Sequence, residues 1–243
     1  MIDSTSREPL RNEFVRRLLL EGASELGLKL SDEQVSQCCI YLEELNKWNR
    51  RINLTAITDE QDAIVKHFLD SFSFVNGLCP QPDLRLLDLG SGAGFPALPI
   101  KIAFPQISVA MVESVKKKAS FLRHMVRTLK LLSVEVLDAR VEDLSESLFE
   151  QYDVITARAF ASMLRVIELG SRFVKRGGHI VMSRGPEETL SNDVIDGTGL
   201  VLHERREFVL PFSHYRRTIW VFRKDANVPR GTVYADPPEQ GGR

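Results

Sequence analysis

The chain of 243 residues is 43% apolar and 27% charged, a balance that supports a substantial core and excludes a disordered chain or a small stapled scaffold. No segment supplies the ~20 apolar residues that span a bilayer, and residues 1–8 show no basic start before an apolar run, so a cytoplasmic protein without a membrane partner is expected. With 32 Lys+Arg against 33 Asp+Glu the formal net charge is −1, so an RNA binder of this composition must gather its cations on one face.

Residues from about Glu8 to Gly77 read as helical. The first helix carries the mixed run Phe14-Val15-Arg16-Arg17-Leu18-Leu19-Leu20 and loosens at Gly22 and Gly27. A second is predicted from Ser31 or Asp32 to about Asn46, with a capping box at Ser31-Asp32-Glu33-Gln34 and Val35, Cys38, Cys39, Leu42 and Leu45 at helical spacing. Thr58-Asp59-Glu60-Gln61 opens the next apolar stripe, Ile64, Val65, Phe68, Leu69, Phe72 and Val75. Cys79-Pro80-Gln81-Pro82 ends it. Cys38, Cys39 and Cys79 have neither C-x-x-C spacing nor a histidine cluster, which argues against a disulfide framework or a bound metal and leaves them as core or half-buried thiols.

Beyond that boundary short apolar runs alternate with helical ones. Strands are predicted at Leu84 to Leu89, Ile107 to Val112, Val134 to Leu137, Tyr152 to Ile155 and His179 to Met182, and helices at Ala97 to Ala103, Lys116 to Leu129 and Met163 to Val174. Such alternation implies βαβ units in a mostly parallel sheet, with the ligand site beyond the carboxyl ends of its strands. Leu200 to Val209 and Tyr215 to Phe222 read as an antiparallel pair closing the sheet. The expected organisation is an N-terminal helical segment (1–82), a doubly wound α/β domain (83–223) and a flexible tail rich in proline and glycine (224–243).

The strongest local signal is Leu86-Leu87-Asp88-Leu89-Gly90-Ser91-Gly92-Ala93-Gly94-Phe95-Pro96, a strand delivering an acid and three alternating glycines to a helix start. The glycines permit a sharp turn and close approach of a ligand to the backbone. The spacing G-x-G-x-G differs from the G-x-G-x-x-G of dinucleotide sites, and suits an amino-acid-bearing nucleoside, which has no pyrophosphate to place on the helix terminus. Its ammonium requires an acceptor, and Asp88 is the nearest one. Glu113 ends the second strand and could accept both ribose hydroxyls, while Asp138 follows the third strand at a position suited to adenine. Each acid taken singly could simply end a strand or cap a helix; three strand-end acids in series, one with the glycine turn, favour the nucleoside.

Lys47-Trp48-Asn49, Asn53-Leu54-Thr55, His67-Phe68-Leu69-Asp70-Ser71, Asp88 to Pro96, Glu113-Ser114, Lys116-Lys117, Phe121-Leu122, Arg140-Val141-Glu142-Asp143, Ala157-Arg158-Ala159-Phe160 and Gly185 together resemble the bacterial glucose-inhibited division B family, whose members methylate N7 of one guanosine in small-subunit ribosomal RNA. The resemblance spans roughly Lys47 to Gly185. It departs at Ala97, where the family commonly has glycine, at Arg184-Gly185 in place of Lys-Gly, and at Lys66-His67 in place of Arg-His. It implies a class I methyltransferase sheet, S-adenosyl-L-methionine as cofactor, and a monomer acting on small-subunit RNA within a partly assembled particle. The implied cofactor pocket comprises Asp88, Gly90, Ser91, Gly92, Gly94, Phe95, Glu113, Asp138, Ala139, Arg140, Val141, Glu142 and Arg158.

Guanine N7 carries a free lone pair, so positioning rather than a general base is expected to drive transfer. Arg158 and Arg184 are the candidates to hold the target nucleotide; Arg158 suits a phosphate or guanine O6, since a donor at N7 would block the attack. Asn53, Thr55, His67, Lys117 and Arg123 are expected on the substrate side, with His67 and Asp70 on one helix face and His67 structural or phosphate-contacting rather than catalytic. Trp48 fits the core better than a base-stacking role. Lys116, Lys117, Lys118, Arg123, Arg127 and Lys130, with Arg205, Arg206, Arg216 and Arg217, could converge on RNA phosphates or form ordinary solvated faces. No Pro-Cys nucleophile is present, and Asp236-Pro237-Pro238-Glu239 lacks the aromatic residue of an exocyclic-amine clamp. The near-neutral charge keeps open a methyltransferase for small molecules or proteins; a nonenzymatic ribosome assembly factor with a degenerate α/β domain is a further alternative, against which the intact glycine turn argues.

Overall fold

The computed structural model describes residues 4–78, 80–185 and 198–225. Helix α1 (Ser4–Glu25) leads to α2 (Asp32–Ile52). The capping box is in place: Ser31 Oγ accepts from the Gln34 amide and Gln34 Oε1 accepts from the Ser31 amide, at 3.2 and 2.8 Å. Asp32 and Glu33 in the first turn and Arg50 and Arg51 in the last match the helix dipole. The helix outruns its predicted end at Asn46 and stops where Asn53 (φ 52°) takes the left-handed cap, a conformation asparagine tolerates better than most residues. Trp48 therefore lies on a helix face, packed on Phe121 and His124 with ring centroids 5.6 and 5.1 Å apart.

Asp59 caps α3 (Glu60–Ala63) by accepting from the Asp62 amide. The chain then runs through a π-helical turn (Ile64–Leu69), α4 (Asp70–Phe72) and a 3-10 turn (Ser73–Gly77). The wider π turn re-aims its side chains, and such turns are common at functional sites. Here it buries His67 beside Phe68 and Leu69.

Seven strands among the described residues form one sheet: β1 (Arg85–Leu89), β2 (Ser108–Val112), β3 (Val134–Leu137), β4 (Tyr152–Arg158), β5 (Val174–Arg184), β6 (Leu200–Val209) and β7 (Arg216–Lys224), in the order β3-β2-β1-β4-β5-β7-β6. The first five are parallel, and β7 is antiparallel to both β5 and β6. This is the expected doubly wound class I methyltransferase architecture with an antiparallel C-terminal pair. The order reverses between β1 and β4, which opens a crevice at their carboxyl ends. Lys224, placed at the start of the expected tail, still belongs to β7, where its ammonium donates to Glu150, to the Ser171 carbonyl and to the Val174 carbonyl. From residue 226 onward that tail, with Asp236-Pro237-Pro238, lies outside the described residues.

The two faces of the sheet bury two apolar clusters. Leu86, Met111, Val154 and Val181 face the N-terminal helices, α5 (Ala97–Ala103) and α6 (Lys116–Thr128), while Leu87, Leu89, Ile155 and Ile180 face α7 (Met163–Phe173). Ala97 is helical as anticipated. Between β3 and β4 the chain makes only two 3-10 turns, Val141–Asp143 and Glu146–Leu148. Cys38 is buried and Cys39 partly so; Cys79 lies outside the described residues. Among the described residues no cluster of three or more metal-ligating side chains occurs, and no helix is long and apolar enough to cross a membrane.

Candidate active site

A cavity of about 440 Å³ opens at the carboxyl ends of β1, β2 and β4, at the topological switch point. Its floor is the glycine turn, where Gly90, Gly92 and Gly94 hold φ of 67°, 58° and 95°, values that L side chains rarely adopt. At Gly92 a Cβ would meet nothing closer than the Gly90 carbonyl at 4.0 Å, so the backbone there faces open space that a ligand can use. Glu113, Ala139, Arg140, Val141, Glu142 and Arg158 also line the cavity, whereas Asp88, Gly94 and Asp138 do not.

Glu113 is buried at the end of β2, with Oε2 accepting from the Gly92 amide at 2.8 Å and Oε1 from the Val115 amide at 2.7 Å. These bonds fix the carboxylate at the lip of the turn, and each oxygen keeps lone-pair capacity for a ligand hydroxyl. Asp88 is 0% exposed. Its Oδ1 accepts from the Thr156 hydroxyl at 2.7 Å, while Oδ2 is buried with no hydrogen-bond partner. Burial raises its pKa to about 6, against the opposing hydrogen bond of Thr156 and the charge of Arg158. The folded state thus holds this proton more tightly than the unfolded chain does. The associated stability is present in acid and falls away as pH rises from the ordinary carboxylate range through about 6. At neutral pH the fold carries a buried charge with one unused acceptor, placed behind the glycine turn and not in the cavity lining itself.

Beside the turn lies a buried polar hub. Asp70, 3% exposed, accepts from Arg158 Nη1 through Oδ2 at 3.2 Å, and through Oδ1 from Ser183 Oγ and Arg217 Nε, each at 3.2 Å. Arg158 also donates to the Lys66 carbonyl at 2.7 Å and to His67 Nδ1 at 3.2 Å. A guanidinium only donates, so His67 Nδ1 is the acceptor and Nε2 carries the proton, donated to Thr55 Oγ1 at 2.9 Å. Burial and the adjacent Arg158 charge push the His67 pKa down to about 3. The imidazole stays neutral at physiological pH, and acidification below its ordinary value favours the unfolded chain. His67 stacks on Phe95 with centroids 4.5 Å apart, and Phe95 stacks on Tyr41 at 5.0 Å. The Tyr41 hydroxyl donates to the Ala93 carbonyl, tying the glycine turn to α2.

A family profile described as GidB, rRNA small subunit methyltransferase G, matches residues 34–212. The chain belongs to this family. Among relatives named ribosomal RNA small subunit methyltransferase G, that of Acetivibrio thermocellus is 37% identical, covering 88% of this chain and 90% of its own. That of Roseiflexus castenholzii is 45% identical over 69% of this chain and 72% of its own. The solved structure of a SAM dependent methyltransferase from Aquifex aeolicus has a TM-score of 0.51 at 14% identity, over 70% of this chain and 96% of its own, a likeness of fold alone. The motifs read between Lys47 and Gly185 fall inside the matched span.

Other residues singled out from sequence lie further from the cavity. Arg184 is buried at the end of β5 and donates to the Ala161 carbonyl at 2.8 Å, so it braces the loop after β4. Asp138 pairs with Arg123 at 3.6 Å, and the wall at this level is made by the residues that follow it. Thr55 joins the hub through His67, while Asn53 and Thr55 line a separate polar groove at the end of α2 with Asn49 and Arg50. Lys117 is exposed on the first turn of α6. Of the basic residues gathered from sequence, Lys118 lines the cavity and Arg217 joins the hub, whereas Arg205 and Arg206 pair with Glu207 and Glu204. Sequence reading did not assign Leu54, Lys118 or Phe160 to the cavity wall, although Leu54 and Phe160 stand inside the motifs that carry the family resemblance.

Proposed function

We propose that this protein transfers the methyl group of S-adenosylmethionine to N7 of a guanosine in bacterial 16S ribosomal RNA, within a small-subunit particle. The observation that carries the reading is the pairing of an open glycine cradle, flanked by the spare buried oxygen of Asp88 and by Glu113, with a neighbouring histidine whose two nitrogens are both engaged. The first feature suits a ligand that carries an ammonium and ribose hydroxyls. The second leaves the acceptor without a general base, which an unprotonated ring nitrogen does not need. S-adenosylmethionine, when bound, supplies an electrophilic methyl group on a sulfonium.

The protein's part is then to seat, align and exclude water. Glu113 would hold the ribose hydroxyls, residues 139–142 the adenine and the backbone of residues 90–92 the amino-acid arm, with Asp88 behind the turn balancing the ammonium charge. Arg158 has five N–H donors, three of them engaged in the hub, which leaves two to serve guanine O6 or a phosphate. The names of the relatives support the RNA substrate. Incubation with labelled cofactor and small subunits lacking their own modification should place label at one guanosine N7. Label confined to metabolites or protein would contradict the assignment.

Affinity for the cofactor should depend on pH through Asp88. The carboxylate form accepts the ammonium, so the dissociation constant measured by calorimetry should be flat from pH 8 to 7 and should weaken as pH falls through about 6. The Asp88→Asn variant, which keeps an acceptor for Thr156, should bind weakly with a flat profile. A wild-type profile unchanged down to pH 5 would remove Asp88 from the binding site.

A further inference from the structure

We infer that Phe160 is the platform on which the target purine stacks. This deepens the proposed function and rests on it. An enzyme that works on a base must take that base out of its stack and hold it by its faces. The cavity wall offers two aromatic rings for this, Phe95 and Phe160. Phe95 is 4% exposed, already stacked on His67 and Tyr41, with the Arg158 guanidinium 5.2 Å from its centroid; no face is left for a base. Phe160 is only partly buried.

Its position along the cavity distinguishes the target from the cofactor's own adenine. The ring lies against Gly90, where an added Cβ would come within 2.1 Å of it, so it sits over the glycine turn. Glu113 and residues 139–142 mark the nucleoside end, and the turn marks the amino-acid and methyl end. The loop that carries the ring is held at both ends. Ala159 takes the left-handed conformation (φ 50°), Arg184 donates to the Ala161 carbonyl at 2.8 Å, and Ser162 caps α7 by accepting from the Arg165 amide. A ring fixed this way loses little freedom on stacking.

Phe160→Leu keeps an apolar side chain against Gly90 but removes the ring. It should cut kcat/KM for small-subunit RNA about ten- to a hundredfold, leave the cofactor dissociation constant within about threefold, and be rescued by Phe160→Tyr or Phe160→Trp. The Trp variant, saturated with S-adenosylhomocysteine, should also show fluorescence quenching by guanosine monophosphate beyond that of the wild type. Wild-type kcat/KM in the Leu variant, a cofactor affinity that falls in parallel with activity, or no added quenching would each overturn the platform. Wild-type protein that methylates no small-subunit RNA would instead overturn the proposed function, and the quenching would then decide the fate of the platform alone.

Discussion

Replacing Asp70 by alanine is expected to lower the unfolding free energy by about 3–5 kcal/mol, the penalty for breaking a buried ion pair from one side. Asp70 takes bonds from Arg158, Ser183 and Arg217, so its loss leaves two guanidinium groups close together without an anion and a buried hydroxyl without its acceptor. Arg217 is a quarter exposed at its side chain, and solvent screens its share; Arg158, at 15%, carries most of the effect. Asn at position 70 keeps the shape and one acceptor oxygen and should be destabilised about half as much. Urea denaturation analysed for both midpoint and slope checks the prediction, and a loss below about 1 kcal/mol in the alanine variant contradicts it. The double variant Asp70→Leu/Arg158→Met discriminates stability from function. It should recover much of the stability, since apolar replacements of a buried pair are often tolerated, and recover none of the transfer activity.

Truncation of Glu113 to alanine should weaken cofactor binding at least a hundredfold, about 2.7 kcal/mol. Its carboxylate is the link between the lip of the glycine turn and the start of α6, through the amides of Gly92 and Val115. Charge-assisted bonds of this type contribute about 1.5–3 kcal/mol each. The variant therefore loses the tether that shapes the turn and, on the proposed function, the ribose acceptor. Glu113→Gln keeps one acceptor oxygen, turns the other contact into a donor facing a donor, and should lose about tenfold. Calorimetry with S-adenosylhomocysteine reads both, with circular dichroism to verify the fold, and an unchanged affinity in Glu113→Ala would remove the residue from the pocket.

Local chemistry explains what could be read from the chain. The capping box at Ser31, the apolar stripes, the alternation of short strands with helices and the G-x-G-x-G turn are all written within a few residues of where they act, and the structure realises each. Boundaries shifted where the stop signal was conformational: Asn53 rather than Asn46 ends α2 because only the former takes the left-handed cap. The site was legible in part. Strand-end acids and glycines announce themselves, and Glu113 stands at the cavity. The hub is a different case, because Asp70 meets partners 88, 113 and 147 residues away, and no periodicity reports such pairings. Likewise His67 and Asp70 suggested a brace on one helix face, while Arg158 and Arg217, the cations that complete it, stand on two strands. Phe160 stood within a motif of the family resemblance without a role of its own, and its place against Gly90 follows only from the folded chain.

The long reach of the hub bears on how the protein is made. A nascent chain emerges N-terminus first, so α4, with Asp70, leaves the ribosome long before β7 supplies Arg217. Through that interval the acid can collect Arg158 and Ser183 but not its third partner, and β5 has no neighbour on its outer side until β7 arrives. Completion of the hub is thereby deferred to release of the last strand, so a truncated translation product carries Asp70 without its third partner.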